Sequence, residues 1–133
     1  MKTIEEVRKF FEGDRFATEN GAVIEEIGTR SATCSLTLTD SHRNAMGAVM
    51  GGTYFMLADF AFAVAANWEN VGCVSLHSDI SFLSAAKGEK LIAKASCIKD
   101  GKTTACYRVE VTDDMGNLAA MVTITGCHVQ PKA

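Results

Sequence analysis

The segment 53–66, Thr-Tyr-Phe-Met-Leu-Ala-Asp-Phe-Ala-Phe-Ala-Val-Ala-Ala, limits what this chain can fold into more than any other stretch. Alanine, leucine and methionine favour helix, and the run holds no proline, no glycine and, after Thr53, one β-branched residue, Val64. A helix apolar nearly all round has to be wrapped by other structure rather than lie on a surface. Asp59 is its only charge. An ionised carboxylate in an apolar setting is strongly penalised, so it finds partners or takes up a proton. Asp59 is therefore a candidate acid, base or nucleophile, with a structural carboxylate paired across an interface as the alternative.

The flanking sequence supplies the wrapping. Thr3 and Glu6 form a capping-box pattern followed by Ile4, Val7, Phe10 and Phe11, which predicts a short amphipathic helix to about Glu12. Residues 22–27 and 31–39 read as a hairpin, the second strand alternating Ala32, Cys34, Leu36 and Leu38 with polar residues. Residues 40–50 read as a loop leading to Gly51-Gly52 and the apolar helix, which runs to about Asn67. The second half is β-rich. Val74, Leu76, Ile80 and Phe82 share one parity, followed by Leu91, Ala93, Ala95 and Cys97. A turn at 99–102 leads to Ala105, Tyr107, Val109 and Val111, and a turn at 113–117 to Leu118, Ala120, Val122 and Ile124.

These patterns predict an α+β fold, one curved antiparallel sheet around one long helix, in a single domain spanning residues 1–133. The edges of such a sheet favour pairing with a second copy. The 13 basic residues are scattered among 16 acidic ones, leaving a formal charge of -3 and no stripe for nucleic acid. Five widely spaced cysteines, with no Cys-x-x-Cys, indicate neither a disulfide framework nor a metal site. No apolar run is long enough to span a bilayer and no signal core opens the chain, so a cytoplasmic location without a membrane partner is expected.

The approach to the helix carries the remaining chemistry. Glycines at a helix entry let a ligand approach the backbone, where first-turn amides present partial positive charge suited to an oxyanion. Gly51 or Gly52 could polarise an acyl carbonyl, and Asn44 could bind water or a substrate polar group through its side-chain amide, although both residue types are also common in ordinary loops and helix starts. Gly51 and Asp59 are eight residues apart, about 12 Å along a helix. One carbonyl carbon cannot touch both within one subunit, so joint action requires the glycine end of one helix and Asp59 of a neighbour.

The stretch resembles the hotdog-fold acyl-CoA thioesterases of the phenylacetate-pathway, PaaI-like type. Their pattern runs approximately His-x-Asn-x-x-Gly-x-x-His-Gly-Gly, then a helix containing Leu-x-Asp. This chain offers His42, Asn44, Gly47, Gly51, Gly52, Leu57 and Asp59 in register. Residues 74–88 are similar to the family's central strand and following turn. The resemblance implies a hotdog fold, a homodimer or homotetramer, and hydrolysis of acyl- or aryl-CoA thioesters between subunits, with no metal or cofactor. It implies Asp59 as nucleophile or general base, Gly51 as amide donor to the thioester oxygen, Asn44 as the residue orienting water or substrate, and Ser75 as an assistant to the carboxylate. Gly52, His42 and Met50 fall in the substrate-binding stretch. Met50 stands where the family has His, which leaves open a non-catalytic acyl-CoA binding or sensing protein of the same fold. A hydratase would need an Asp and His closely paired near the helix, and none surrounds Asp59. His77 and Asp79 share a parity on one strand, and His128 shows no partner in the sequence.

Overall fold

The computed structural model describes residues 2–129. Helix α1, Ile4–Phe11, is capped reciprocally: Thr3 Oγ1 accepts from the Glu6 amide, and Glu6 Oε1 from the Thr3 amide. It buries Val7 and Phe11. A five-residue helix that sequence periodicity did not reveal follows, α2, Arg15–Glu19. Then come β1, Val23–Gly28, and β2, Ser31–Thr37, a 3-10 turn at Asp40–His42, and the long helix α3, Gly51–Asn67. Four strands complete the chain: β3 (Cys73–Phe82), β4 (Lys90–Asp100), β5 (Thr104–Asp113) and β6 (Leu118–His128).

All six strands form one antiparallel sheet in the order β1-β2-β4-β5-β6-β3. The alternation read from the sequence decides its inner face. Ala32, Cys34 and Leu36 of β2, Leu91, Ala93 and Ala95 of β4, Val109 and Val111 of β5, and Val122 and Ile124 of β6 are buried against α3. This is the hotdog arrangement, an antiparallel sheet holding one long helix. The end of α3 is tied to β3 by buried Asn67, whose side-chain oxygen accepts from the Gly72 and Cys73 amides and whose amide donates to the Cys73 carbonyl. Trp68 closes the helix by packing and by donating from Nε1 to the Gly28 carbonyl at 2.8 Å.

Two expectations need correction. First, the sheet does not wrap α3 all round: Gly52, Phe55, Met56, Asp59, Ala63 and Ala66, at helical spacing along one face, remain at least partly exposed. A sheet can cover only one side of a helix about 10 Å thick, and α2 covers only part of the other. Second, Val74, Leu76, Ile80 and Phe82 do not share a face. The β3–β6 pairing slips between Ser75 and His77, and the extra residue puts Val74 beside Cys127 on the outer face but Ile80 and Phe82 beside Val122 and Ala120 on the inner one. β3 ends the sheet, with Val74, Leu76 and Phe82 exposed.

Candidate active site

The exposed stripe of α3 and the head of α2 enclose a groove of about 570 Å³, lined by Asp14, Phe16, Gly52, Phe55, Met56, Asp59 and Phe60 among others. Asp59 points into mainly apolar surroundings. Burial pushes its carboxyl above the ordinary aspartate range, and the neighbouring charge of Asp14 adds to the effect. Burial raises Asp14 as well. Among the described residues, neither carboxylate accepts a hydrogen bond from a protein group.

Helix α3 starts at Gly51, two residues earlier than its apolar composition marks, with Met50 at the N-cap and no side chain capping the first turn. The Thr53 amide donates to the Met50 carbonyl, whereas the Gly51 and Gly52 amides have no protein acceptor among the described residues. Gly51 opens onto a second, smaller groove of about 370 Å³ with Val49, Tyr54, Phe82 and Ser84, beside the end of β3. A Cβ at Gly51 would stand 3.2 Å from Phe82 Cζ, so the bare backbone is closely covered on that side. Gly51 and Asp59 thus line different grooves of one chain.

The loop before α3 is built by two of the motif residues. His42 is buried; its Nδ1 accepts from the Thr39 amide at 2.9 Å, so its Nε2 carries the proton and donates to the Asn20 carbonyl at 2.7 Å. Its carbonyl accepts from the Met50 amide and from Thr53 Oγ1, both at 2.9 Å. Both ring nitrogens are therefore engaged in holding the loop to the helix entry. Asn44 turns its Oδ1 onto the Met46 and Ala48 amides, at 2.9 and 3.1 Å. This leaves its side-chain amide as the group able to reach a ligand. Met50 is half-exposed, its methyl beside Gly52. Ser75 pairs with Gly126 on the inner face of β3 and lines neither groove.

Elsewhere, His77 and Asp79 stand exposed on the outer face of β3. His128 does have a partner: its Nε2 lies 2.8 Å from Asp100 Oδ1, while Arg30 Nε pairs with Asp100 Oδ2 at 3.1 Å. The five cysteines are free thiols. No cluster of three or more His, Cys, Asp or Glu that could hold a metal occurs among the described residues, and no described helix is long and apolar enough to cross a membrane.

A six-stranded antiparallel sheet packed against one long helix is the hotdog fold. The thioesterase superfamily model matches residues 46–120, more than half of the chain, which belongs to that family and is a thioester hydrolase. Among its relatives, the acyl-coenzyme A thioesterase PaaI of Escherichia coli is 29% identical over 121 residues, covering 90% of this chain and 86% of that protein. A protein described as an esterase from Archaeoglobus fulgidus is 32% identical over 89% of this chain and 78% of its own length. The solved structure of the E. coli PaaI protein superposes with a TM-score of 0.86 over 92% of this chain and 89% of that one, at 27% identity. The chain is PaaI-like in sequence and in fold.

Asp14 escaped the sequence reading. It lies between two helices with no motif around it, and its only sequence cue is an acid preceding a short helical segment.

Proposed function

We propose that this thioester hydrolase cleaves acyl-CoA to free acid and CoA at a site shared by two copies of the chain. One observation carries this reading: a half-buried Asp59 without a hydrogen-bond donor sits in an apolar groove, on a helix whose Gly51 amide is also unpaired. Such groups are costly to leave unmet: the carbonyl oxygen of a bound thioester accepts from the Gly51 amide, and the attacking water donates to Asp59.

In this reading the apolar groove takes the acyl group. The Gly51 N–H of one subunit donates to the thioester oxygen, a bond that strengthens as the oxygen gains charge in the transition state. Asp59 of the other subunit takes a proton from water. The resulting hydroxide adds to the carbonyl carbon, the carbon–sulfur bond breaks, and the departing CoA sulfur takes up a proton. Direct attack by Asp59, with an anhydride then hydrolysed by water, satisfies the same geometry. The Asn44 amide orients the water or the substrate, and Gly52 and Met50 border the bound substrate, whereas Ser75, which lines neither groove, is given no part. His42 serves binding by holding this loop in place.

The second copy is favoured by two features. The roughly 12 Å between Gly51 and Asp59 separates the two groups within one chain. Among the described residues β3 pairs only with β6, so its other edge, with Val74, Leu76 and Phe82 exposed, is unpaired and adjoins the Gly51 groove. A homodimer, alone or within a homotetramer, would pair that edge.

The test is turnover of a panel of aryl-, short-, medium- and long-chain acyl-CoAs by the wild type and by Asp59→Asn, read as free thiol released. Turnover by the wild type, with loss in a variant of unchanged fold and assembly, supports the reading. Full activity in Asp59→Asn overturns it.

A further inference from the structure

Asp14 occupies the N-cap of α2, the position where an aspartate side chain ordinarily accepts from the first-turn amides of its own helix. Here it makes no such bond. Its backbone instead does the local work: the Asp14 amide donates to the Phe11 carbonyl, and its carbonyl accepts from the Thr18 amide and from Thr18 Oγ1. The carboxylate is left to line the groove that holds Asp59, among Phe16, Phe55, Met56 and Phe60. Two acids without protein donors therefore line one mainly apolar groove, Asp59 half-buried on α3 and Asp14 at the exposed rim, at the head of α2.

The remaining charges do not neutralise the pair. Arg15 is the one cation lining the groove, and its guanidinium is bound to Glu19, one turn further along α2. Helix α3 contributes no charge besides Asp59, and no residue of the six strands lines the groove. In α1, Arg8 donates to the Ile24 carbonyl and pairs with Glu5, while Glu12 and Arg8 border a separate groove.

We propose that Asp14 is a positioning residue for the thioesterase reaction, its free carboxylate set across the groove from Asp59 so that Asp59 meets water as a stronger base. The inference rests on the role given to Asp59 above, and its chemistry is that of two like charges lining one groove. Each disfavours ionisation of the other, so a proton arriving at the pair is held more firmly than by either acid alone. Asp59 then gains in the step where it removes a proton from water. When the proton leaves for the CoA sulfur, the pair returns to its starting state.

A structural role predicts something different. If Asp14 only shaped the turn between α1 and α2, removing its charge would change stability and leave the titration of Asp59 alone. The decisive experiment is a carbon-13 NMR titration of the aspartate carboxyls in the full chain. The Asp59 resonance is assigned as the one missing from Asp59→Asn, and its titration is compared in wild type, Asp14→Asn and Asp14→Glu. The expected result is a midpoint for Asp59 at lower pH in Asp14→Asn and close to wild type in Asp14→Glu, with the melting temperature of Asp14→Asn at neutral pH no lower than that of wild type. The acid limb of kcat/KM should move in the same direction. Superimposable Asp59 titrations in wild type and Asp14→Asn overturn the proposal, whatever happens to activity. A wild type that titrates as expected but hydrolyses no thioester leaves the coupling established and refutes the catalytic role of Asp59 instead.

Discussion

Replacing His42 with alanine separates a side chain that braces the loop before α3 from one that touches substrate. The ring is 6% exposed and bridges two otherwise distant points, accepting from the Thr39 amide and donating to the Asn20 carbonyl. Alanine leaves both backbone groups without a partner. Each orphan costs about 1–3 kcal/mol where water does not reach it. Thr39 and Asn20 are exposed residues, so water recovers part of this and the net loss is about 2–4 kcal/mol. With a urea slope of about 1–3 kcal/mol per molar for a small domain, the unfolding midpoint should fall by roughly 1–3 M. Trp68, buried at the end of α3, provides the fluorescence probe. Activity at low temperature should fall mainly in kcat, because the ring nitrogens are occupied and the loop carrying Asn44 and Gly51 loses its anchor. A midpoint within about 0.3 M of wild type, together with a large rise in KM, would refute this reasoning and place the ring against the substrate.

Other perturbations have equally definite outcomes. Asp59→Asn should raise the melting temperature at neutral pH, since the wild type carries an ionised acid disfavoured by burial and by Asp14. The gap should narrow on acidification, as protonation of the native acid stabilises the wild type down to the unfolded-state pKa of about 3.9. Asp113 is the opposite case: its burial raises the carboxyl, but donations from the Lys87 and Asn117 amides, the Asn117 side chain and the Met115 amide outweigh this and hold it at about 2. Its contribution should be complete above pH about 4 and be lost as the pH falls toward the folded value, a loss that Asp113→Asn should not show in acid unfolding curves. Leu76→Glu on the exposed β3 edge should yield monomers in sedimentation and abolish turnover with every motif residue intact. Gly126→Ala would place a methyl 2.6 Å from Cys73 Sγ and 3.1 Å from Phe62 Cζ; such overpacking should cost about 1–3 kcal/mol in urea unfolding.

Which features the sequence disclosed follows from where the information lies. α3 was legible because its seventeen residues are mostly apolar with Asp59 their one charge, and β2, β4, β5 and β6 because their apolar residues recur at every second position, although Ser35 and Ala119 on the other parity are buried as well. The bulge in β3 left no mark, since one inserted residue changes the facing of Val74 relative to Ile80 without disturbing composition. α2 is too short for a helical period to emerge from Arg-Phe-Ala-Thr-Glu. Asp59 declared itself by contrast with its neighbours, whereas Asp14 looks like any loop acid until the fold brings α2 over α3. The pairing of His128 with Asp100 likewise depends on strand ends 28 residues apart meeting at one corner. His42 was legible as a motif residue but not as a buried brace, because that role depends on the Asn20 carbonyl lying against it.

The central claim is that Asp59 of one subunit and the Gly51 amide of the other serve a single thioester. Subunit mixing tests it most directly. Gly51→Pro deletes the amide at the first helical position, where proline suits the helix, and Met50 before it already has the extended conformation proline requires (φ -69°, ψ 141°). Asp59→Asn deletes the base. Each variant alone should be inactive. After the two are unfolded together and refolded, half of randomly paired dimers are hybrids, each with one intact and one doubly damaged site. The account predicts return of about a quarter of wild-type activity. A refolded mixture that forms dimers yet stays as inactive as either parent would contradict the shared site and confine the chemistry to one subunit.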